Sequence, residues 1–155
     1  MRLLSIAALA AALTMTTAAI ANPQTDYLSA NAKKAGVKVV AGGLQYRVIK
    51  TGKGAKPGPT DCATVNYKGS FINGKVFDAS KPGAPITFPV NRVIPGWTEA
   101  LQMMRPGDRW ELTIPSTLGY GDAGTPGGPI PGGATLIFDV ELLKVSPAEM
   151  GLCPG

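Results

Sequence analysis

Histidine is absent from this chain of 155 residues, and cysteine occurs only twice. Without histidine there can be no His-dependent nucleophile triad, and most of the usual metal-ligand sets are also excluded. Charged residues are only 16% of the chain and are scattered, with Lys33-Lys34 and Arg105/Arg109 as the close basic pairs. No basic stripe with interleaved aromatics forms, so the net charge of +5 does not point to nucleic acid. There is one long apolar run, Leu3 to Ile20, after the basic start Met1-Arg2, and Ser5, Thr14, Thr16 and Thr17 dilute it. Its strongly apolar part falls short of the ~20 residues a membrane span needs. Ala19-Ile20-Ala21 before Asn22 fits a small-residue cleavage site. Residues 1–21 therefore read as a cleaved signal peptide, and the mature protein as exported, periplasmic or secreted, with no membrane span after cleavage.

What remains is enough for one folded domain, since 45% of residues are hydrophobic. In an exported chain an even cysteine count favours a disulfide, here Cys62 to Cys153. Ala63, Val65 and Tyr67 alternate on one face of a strand, so Cys62 lies on the other. The stretch from Val145 to Cys153 spans up to ~27 Å when extended, long enough for the tail to reach it. Two independent thiols are the other reading, and a free-thiol titration of unreduced protein separates the two.

Along the chain, residues 22–43 form a short polar lead-in, with a short helix expected over Tyr27–Ala35, ending at Gly36. Residues 44–145 form the main unit and 146–155 a tail. Leu44–Lys50, Cys62–Gly69, Ile86–Phe88, Arg109–Ile114 and Thr135–Val145 read as strands from their alternation. Phe71–Phe77 reads as a hairpin around Asn73-Gly74. Pro85 and Pro89 place Ile86–Phe88 at a sheet edge. One amphipathic helix stands out: Trp97, Ala100, Leu101 and Met104 share a face between Pro95-Gly96 and Arg105-Pro106-Gly107. The expected fold is α+β, a curved antiparallel β-sheet wrapped around one short α-helix.

Gly119-Tyr120-Gly121-Asp122-Ala123-Gly124 matches G-x-G-x-x-G, the spacing of a dinucleotide-binding loop. That spacing has meaning only when a helix N-terminus follows to face the pyrophosphate. Here Pro126, Pro129 and Pro131 interrupt the next stretch and a strand comes after it, so the nucleotide reading is rejected. The loop is a strand-to-strand connection in need of another role.

Five ordered blocks carry a resemblance. They are Val65-Asn66-Tyr67-Lys68-Gly69, Gly74 to Ser80, Val93 to Leu101, Gly119-Tyr120-Gly121, and Ala134 to Leu142. Together they resemble the FKBP family of peptidyl-prolyl cis-trans isomerases, over about Leu44 to Val145. The lead-in is similar to the linker-to-domain junction of exported bacterial Mip-like members, which often carry a long N-terminal dimerisation region. Only some twenty residues lie between Ala21 and Gly43, which favours a monomer.

The resemblance implies an aromatic pocket with Trp97 as floor and Tyr67, Phe77, Phe88 and Phe138 as walls. Val93 and Ile94 would line one side, with the Ile94 N–H offered to a substrate carbonyl. Asp78 and the Tyr120 hydroxyl would be polar groups at its edge. The Gly/Pro loop would be a flap, with Ile130 as its apolar contact. Tyr67, Phe77, Asp78, Trp97, Tyr120 and Phe138 would carry catalysis; Phe88, Val93, Ile94 and Ile130 would bind substrate. Implied partners are proline-containing peptide segments, folding polypeptides and a macrolide inhibitor; no cofactor and no metal is implied. Two departures from the family pattern bear on peptide preference and macrolide affinity. Ile86 stands where many members have an aromatic, and Pro129 replaces a common aliphatic. The competing reading is a binding or chaperone module of the same fold with little turnover.

Overall fold

A computed structural model describes residues 18–154. The first seventeen residues of the expected signal peptide lie outside the described residues.

Two long strands organise the sheet. Strand β3 (Asp61–Phe71) pairs along its whole length with β7 (Leu136–Pro147), and a register shift at Thr64/Val65 bends the pair. Five shorter strands complete it: β1 (Val37–Val39), β2 (Gln45–Lys50), β4 (Val76–Ala79), β5 (Ile86–Pro89) and β6 (Arg109–Ile114). The order is β1-β2-β6-β7-β3-β4, with β5 also on β3, and every pairing is antiparallel. β4 and β5 therefore lie one after the other along the same edge of β3. The turn from β3 into β4 is the expected Asn-Gly type: Gly74 has φ +86°, and the Asn73 Oδ1 accepts from the Lys75 N–H at 2.9 Å.

Alternation assigns the two faces. Val140, Leu112, Ile114, Leu136 and Phe138 point to the concave side and are buried against helix α2 (Pro95–Met103). Pro95 at the first turn of α2 has no N–H to leave unpaired. Its buried residues are Gly96, Trp97, Ala100 and Leu101, and Met104 just beyond is fully buried. Gly96 was not on the expected apolar face. It is there because a Cβ would stand 2.8 Å from the Ile114 side chain. On the convex side, ion pairs Arg47–Glu111 (3.3 Å) and Arg109–Asp139 (2.6 Å) lie in solvent and contribute little to stability.

A second helix, α1 (Pro23–Asn31), starts four residues before the expected Tyr27 and ends before Gly36. Asn22 caps it, its Oδ1 accepting from the Gln24 N–H at 3.0 Å, and Pro23 occupies the first turn. It has no apolar stripe, and polar contacts dock it on the sheet. Asn31 Nδ2 donates to Gln45 Oε1 (2.8 Å) and Thr113 Oγ1 (3.1 Å). Gln45 Nε2 donates to the Leu28 carbonyl (2.9 Å), and the Thr135 N–H donates to Gln24 Oε1 (2.7 Å). Asn31, Gln45, Thr113 and Thr135 are all buried, so the lead-in is packed onto the domain rather than strung before it.

The tail is also tied down. β7 continues to Pro147, and a tight turn pairs Glu149 with Leu152. Cys62 and Cys153 are joined by a disulfide with Cα atoms 5.6 Å apart. Cys62 sits on the face opposite Ala63 and Val65, yet it is fully buried because the tail covers it.

Candidate functional site

A cavity of ≈ 440 Å³ opens between α2 and the concave face of the sheet. It is lined by Tyr67, Phe77, Asp78, Phe88, Arg92, Val93, Ile94, Trp97, Tyr120 and Phe138. Tyr67 comes from β3, Phe77 and Asp78 from β4, Phe88 from β5, Trp97 from α2 and Phe138 from β7. Residues distant in sequence meet here because β3 pairs with β4, β5 and β7 at once.

Trp97 is the hub. Tyr67, Phe88 and Phe138 stand nearly perpendicular to its indole, at 83°, 88° and 82°, with centroids 5.3, 5.7 and 5.3 Å away. Edge-to-face contacts of this kind add to burial and hold ring orientation. Phe77 extends the wall, edge-on to Phe138 at 5.6 Å. The rings close because residue 69 is glycine. A Cβ there would lie 2.6 Å from the Phe138 ring and 2.7 Å from the Phe77 ring, far inside contact distance.

The rim is polar. The Tyr67 hydroxyl donates to Asp78 Oδ2 at 2.8 Å. Burial, then the hydrogen bond to the Asp78 carboxylate, pushes the Tyr67 phenol up to about 12. Its stabilising contribution is thus complete below the ordinary tyrosine value near 10 and is lost as pH rises through about 12. Asp78→Asn should lower the Tyr67 pKa only part of the way back, because burial is the larger cause. Phenolate absorbance in alkaline titration checks this, and an unchanged curve would remove Asp78 from the account. Tyr120 reaches the rim from the glycine-rich loop and is 40% exposed.

Ile130 departs from expectation: it does not line the cavity. It is buried in the core, and its N–H donates to Thr125 Oγ1 at 2.9 Å. The loop folds back on itself so tightly that a Cβ at Gly124 (φ +64°) would collide with the Ile130 carbonyl oxygen. The loop therefore contributes Tyr120 at the cavity, while its tip residue is spent on the loop's own packing. Arg92 was not among the expected residues. Its neighbour Val93 was, and a lone arginine in a turn carries no periodic signal.

A second hollow of ≈ 320 Å³ lies on the convex face, lined by charged and polar groups including Lys68, Lys81, Arg109, Asp139 and Glu141. Its Arg109–Asp139 pair is already closed, and Tyr67 is the single aromatic residue in a lining that is otherwise mostly polar and charged. The aromatic cavity is the better candidate site. No group of side chains that could hold a metal occurs among the described residues.

Comparison with known proteins agrees with this architecture. The sequence profile of FKBP-type peptidyl-prolyl cis-trans isomerase matches residues 53–143. A second profile, the domain amino terminal to FKBP-type peptidyl-prolyl isomerase, matches residues 5–48. The FKBP-type 22 kDa peptidyl-prolyl cis-trans isomerase of Escherichia coli K12 is 52% identical over 82% of this chain and 62% of its own length. The crystal structure of FkpA from Escherichia coli superposes with a TM-score of 0.77 at 48% identity, over 81% of this chain and 59% of that one. A peptidyl-prolyl cis-trans isomerase from Pseudomonas syringae pv. tomato superposes with a TM-score of 0.75 at 37% identity, over 79% of this chain and 90% of that one. The chain spans 47–62% of the length of the first curated relatives it matches. With its profile match, its sheet and its ring-walled cavity in agreement, the chain belongs to the FKBP-type peptidyl-prolyl cis-trans isomerase family.

Proposed function

We propose that this protein is an exported peptidyl-prolyl cis-trans isomerase that accelerates rotation about X–Pro bonds in peptides and folding chains. The observation that carries the reading is the cavity itself: an indole floor with three rings at near right angles and a narrow polar rim. A proline ring is apolar and of a size to sit on such a floor.

The barrier to be lowered is ~18–20 kcal/mol, because rotation breaks amide resonance. The twisted amide has lost that resonance and is less dipolar than the planar one. A water-poor aromatic site therefore disfavours the planar ground state relative to the twisted state. Donors placed for the rotated carbonyl add to the difference. We assign one such donor to the Ile94 N–H: Ile94 lines the cavity and precedes α2, and its N–H has no acceptor among the described residues, while the Ile94 carbonyl accepts from Trp97 and Thr98. The Tyr120 hydroxyl is a second donor, and Tyr67 and Asp78 hold one another in place. A thousandfold to millionfold acceleration needs ~4–8 kcal/mol of such differential stabilisation. No covalent step is required.

The test is isomerisation of a short X–Pro peptide followed by NMR exchange, with and without a macrolide such as rapamycin. Acceleration is expected, with a flat pH profile between pH 6 and 9. None of the side-chain types lining the cavity ordinarily changes charge in that window, and Tyr67 ionises only near 12. No acceleration by folded protein would leave a proline-binding module instead. Tyr120→Phe and Asp78→Leu are each expected to lower kcat/KM by roughly three- to tenfold, the scale of one lost hydrogen bond. If neither changes the rate, the polar rim has no part in catalysis.

Export agrees with the disulfide, which persists in oxidising compartments. The leader-like pattern of residues 1–21 points the same way. No described helix is long and apolar enough to cross a membrane.

A further inference from the structure

We propose that Arg92 gives this isomerase a preference for prolines that have an acidic residue next to them. The inference rests on the isomerase reading and names the substrate class for the same cavity.

Arg92 ends a 3-10 turn, Val90–Arg92, between β5 and α2. The turn is anchored at both ends of its short run. Val90 is fully buried, and its carbonyl accepts from the Thr98 hydroxyl of α2 at 2.7 Å. Val93, directly after, is extended and lines the cavity. The backbone of Arg92 is thus held at the cavity mouth by the helix that supplies the floor, and Arg92 is among the residues lining the cavity.

Its charge is uncommitted. The ion pairs among the described residues are Arg47–Glu111 and Arg109–Asp139, both on the convex face. Asp78 is the one carboxylate lining the cavity, and it accepts from the Tyr67 hydroxyl instead of pairing with Arg92. The remaining lining side chains are uncharged. A peptide whose proline lies over Trp97 therefore brings its neighbouring residues past a single free guanidinium. That group is a planar fork of donors matched to a carboxylate. Arg92 is solvent-exposed, so the effect is graded and sensitive to salt.

The experiment compares kcat/KM for short peptides carrying Glu, Gln or Lys immediately before proline, and for a second series with the same residues immediately after it. At low ionic strength at least one series should show Glu favoured over Gln by about two- to fivefold, the range of an exposed ion pair. Lys should fall below Gln. The Glu/Gln ratio should approach one at high salt and in Arg92→Gln, and should invert in Arg92→Glu. NMR titration with the same peptides separates the two layers of inference. Turnover without charge grading in either series, or grading that survives Arg92→Gln, overturns the role of Arg92 alone. Charge-graded binding without turnover overturns the isomerase reading alone. Ungraded binding without turnover overturns both.

Discussion

Gly69→Ala should lose roughly a hundredfold in kcat/KM while the protein remains folded. Residue 69 is in β3, opposite Asp78 on one side and Phe138 on the other. It carries no chemistry and makes no side-chain contact. Its effect is on the rings: the added Cβ would fall 2.6 Å from Phe138 and 2.7 Å from Phe77, and both belong to the cavity wall. Neither ring can stay where it is. Phe138 stands edge-on to Trp97 as well as to Phe77, so its displacement reaches the floor. Overpacking of this kind costs about 1–3 kcal/mol of stability. A misplacement of about 1 Å in a catalytic site costs on the order of a hundredfold in rate. The check is kcat/KM beside a urea unfolding curve. Activity within about twofold of the parent would mean that wall geometry does not limit catalysis.

Breaking the Cys62–Cys153 bridge should give the largest single loss of stability available without touching the core. The bridge closes a loop with a sequence separation of 91 residues. In the chain-entropy account a loop of that size is worth about 4–5 kcal/mol, and removal of native disulfides from small secreted domains costs about 2–5 kcal/mol. Cys153→Ser is the better variant, because it leaves at Cys62 a thiol, which tolerates burial as a small apolar group. The urea midpoint should fall markedly, and reduction of the parent protein should reproduce the shift. Activity should change little. Cys62 is opposite Pro89, next to Phe88, but the β3–β5 pairing that positions Phe88 also includes Ala63, Thr64 and Val65. A stability loss below about 1 kcal/mol would mean that β7, paired with β3 as far as Pro147, already holds the tail.

Much of the candidate site was legible because its parts are local. The rings of β3, β4, β5 and β7 fall on alternating positions, and Trp97, Ala100 and Leu101 recur at helical spacing. Such periods reflect which face of an element meets the core, and they survive without knowledge of its partner. The absence of a helix after Gly119–Gly124 was likewise enough to reject a phosphate loop.

The rest needed the third dimension. Helix α1 has no apolar stripe, so periodicity could not show that Asn31 and Gln45 would be buried together with Thr113. The strand order, with β7 between β6 and β3, depends on long-range pairing that no short window contains. The family resemblance implied that Ile130 is a flap contact, and only the folded loop shows it turned into the core. Arg92 and Gly69 were silent for opposite reasons. Arg92 belongs to a turn and has no repeat to mark it, while Gly69 matters through the space it leaves for rings from β4 and β7. Sequence alone determined the types of the main elements, though not the short strand β1 inside the lead-in, and with them the ring inventory and the family likeness, because these rest on local chemistry and spacing. Tertiary structure alone decided which rings meet at right angles over Trp97 and which charge faces their mouth, because those are consequences of how distant strands pair.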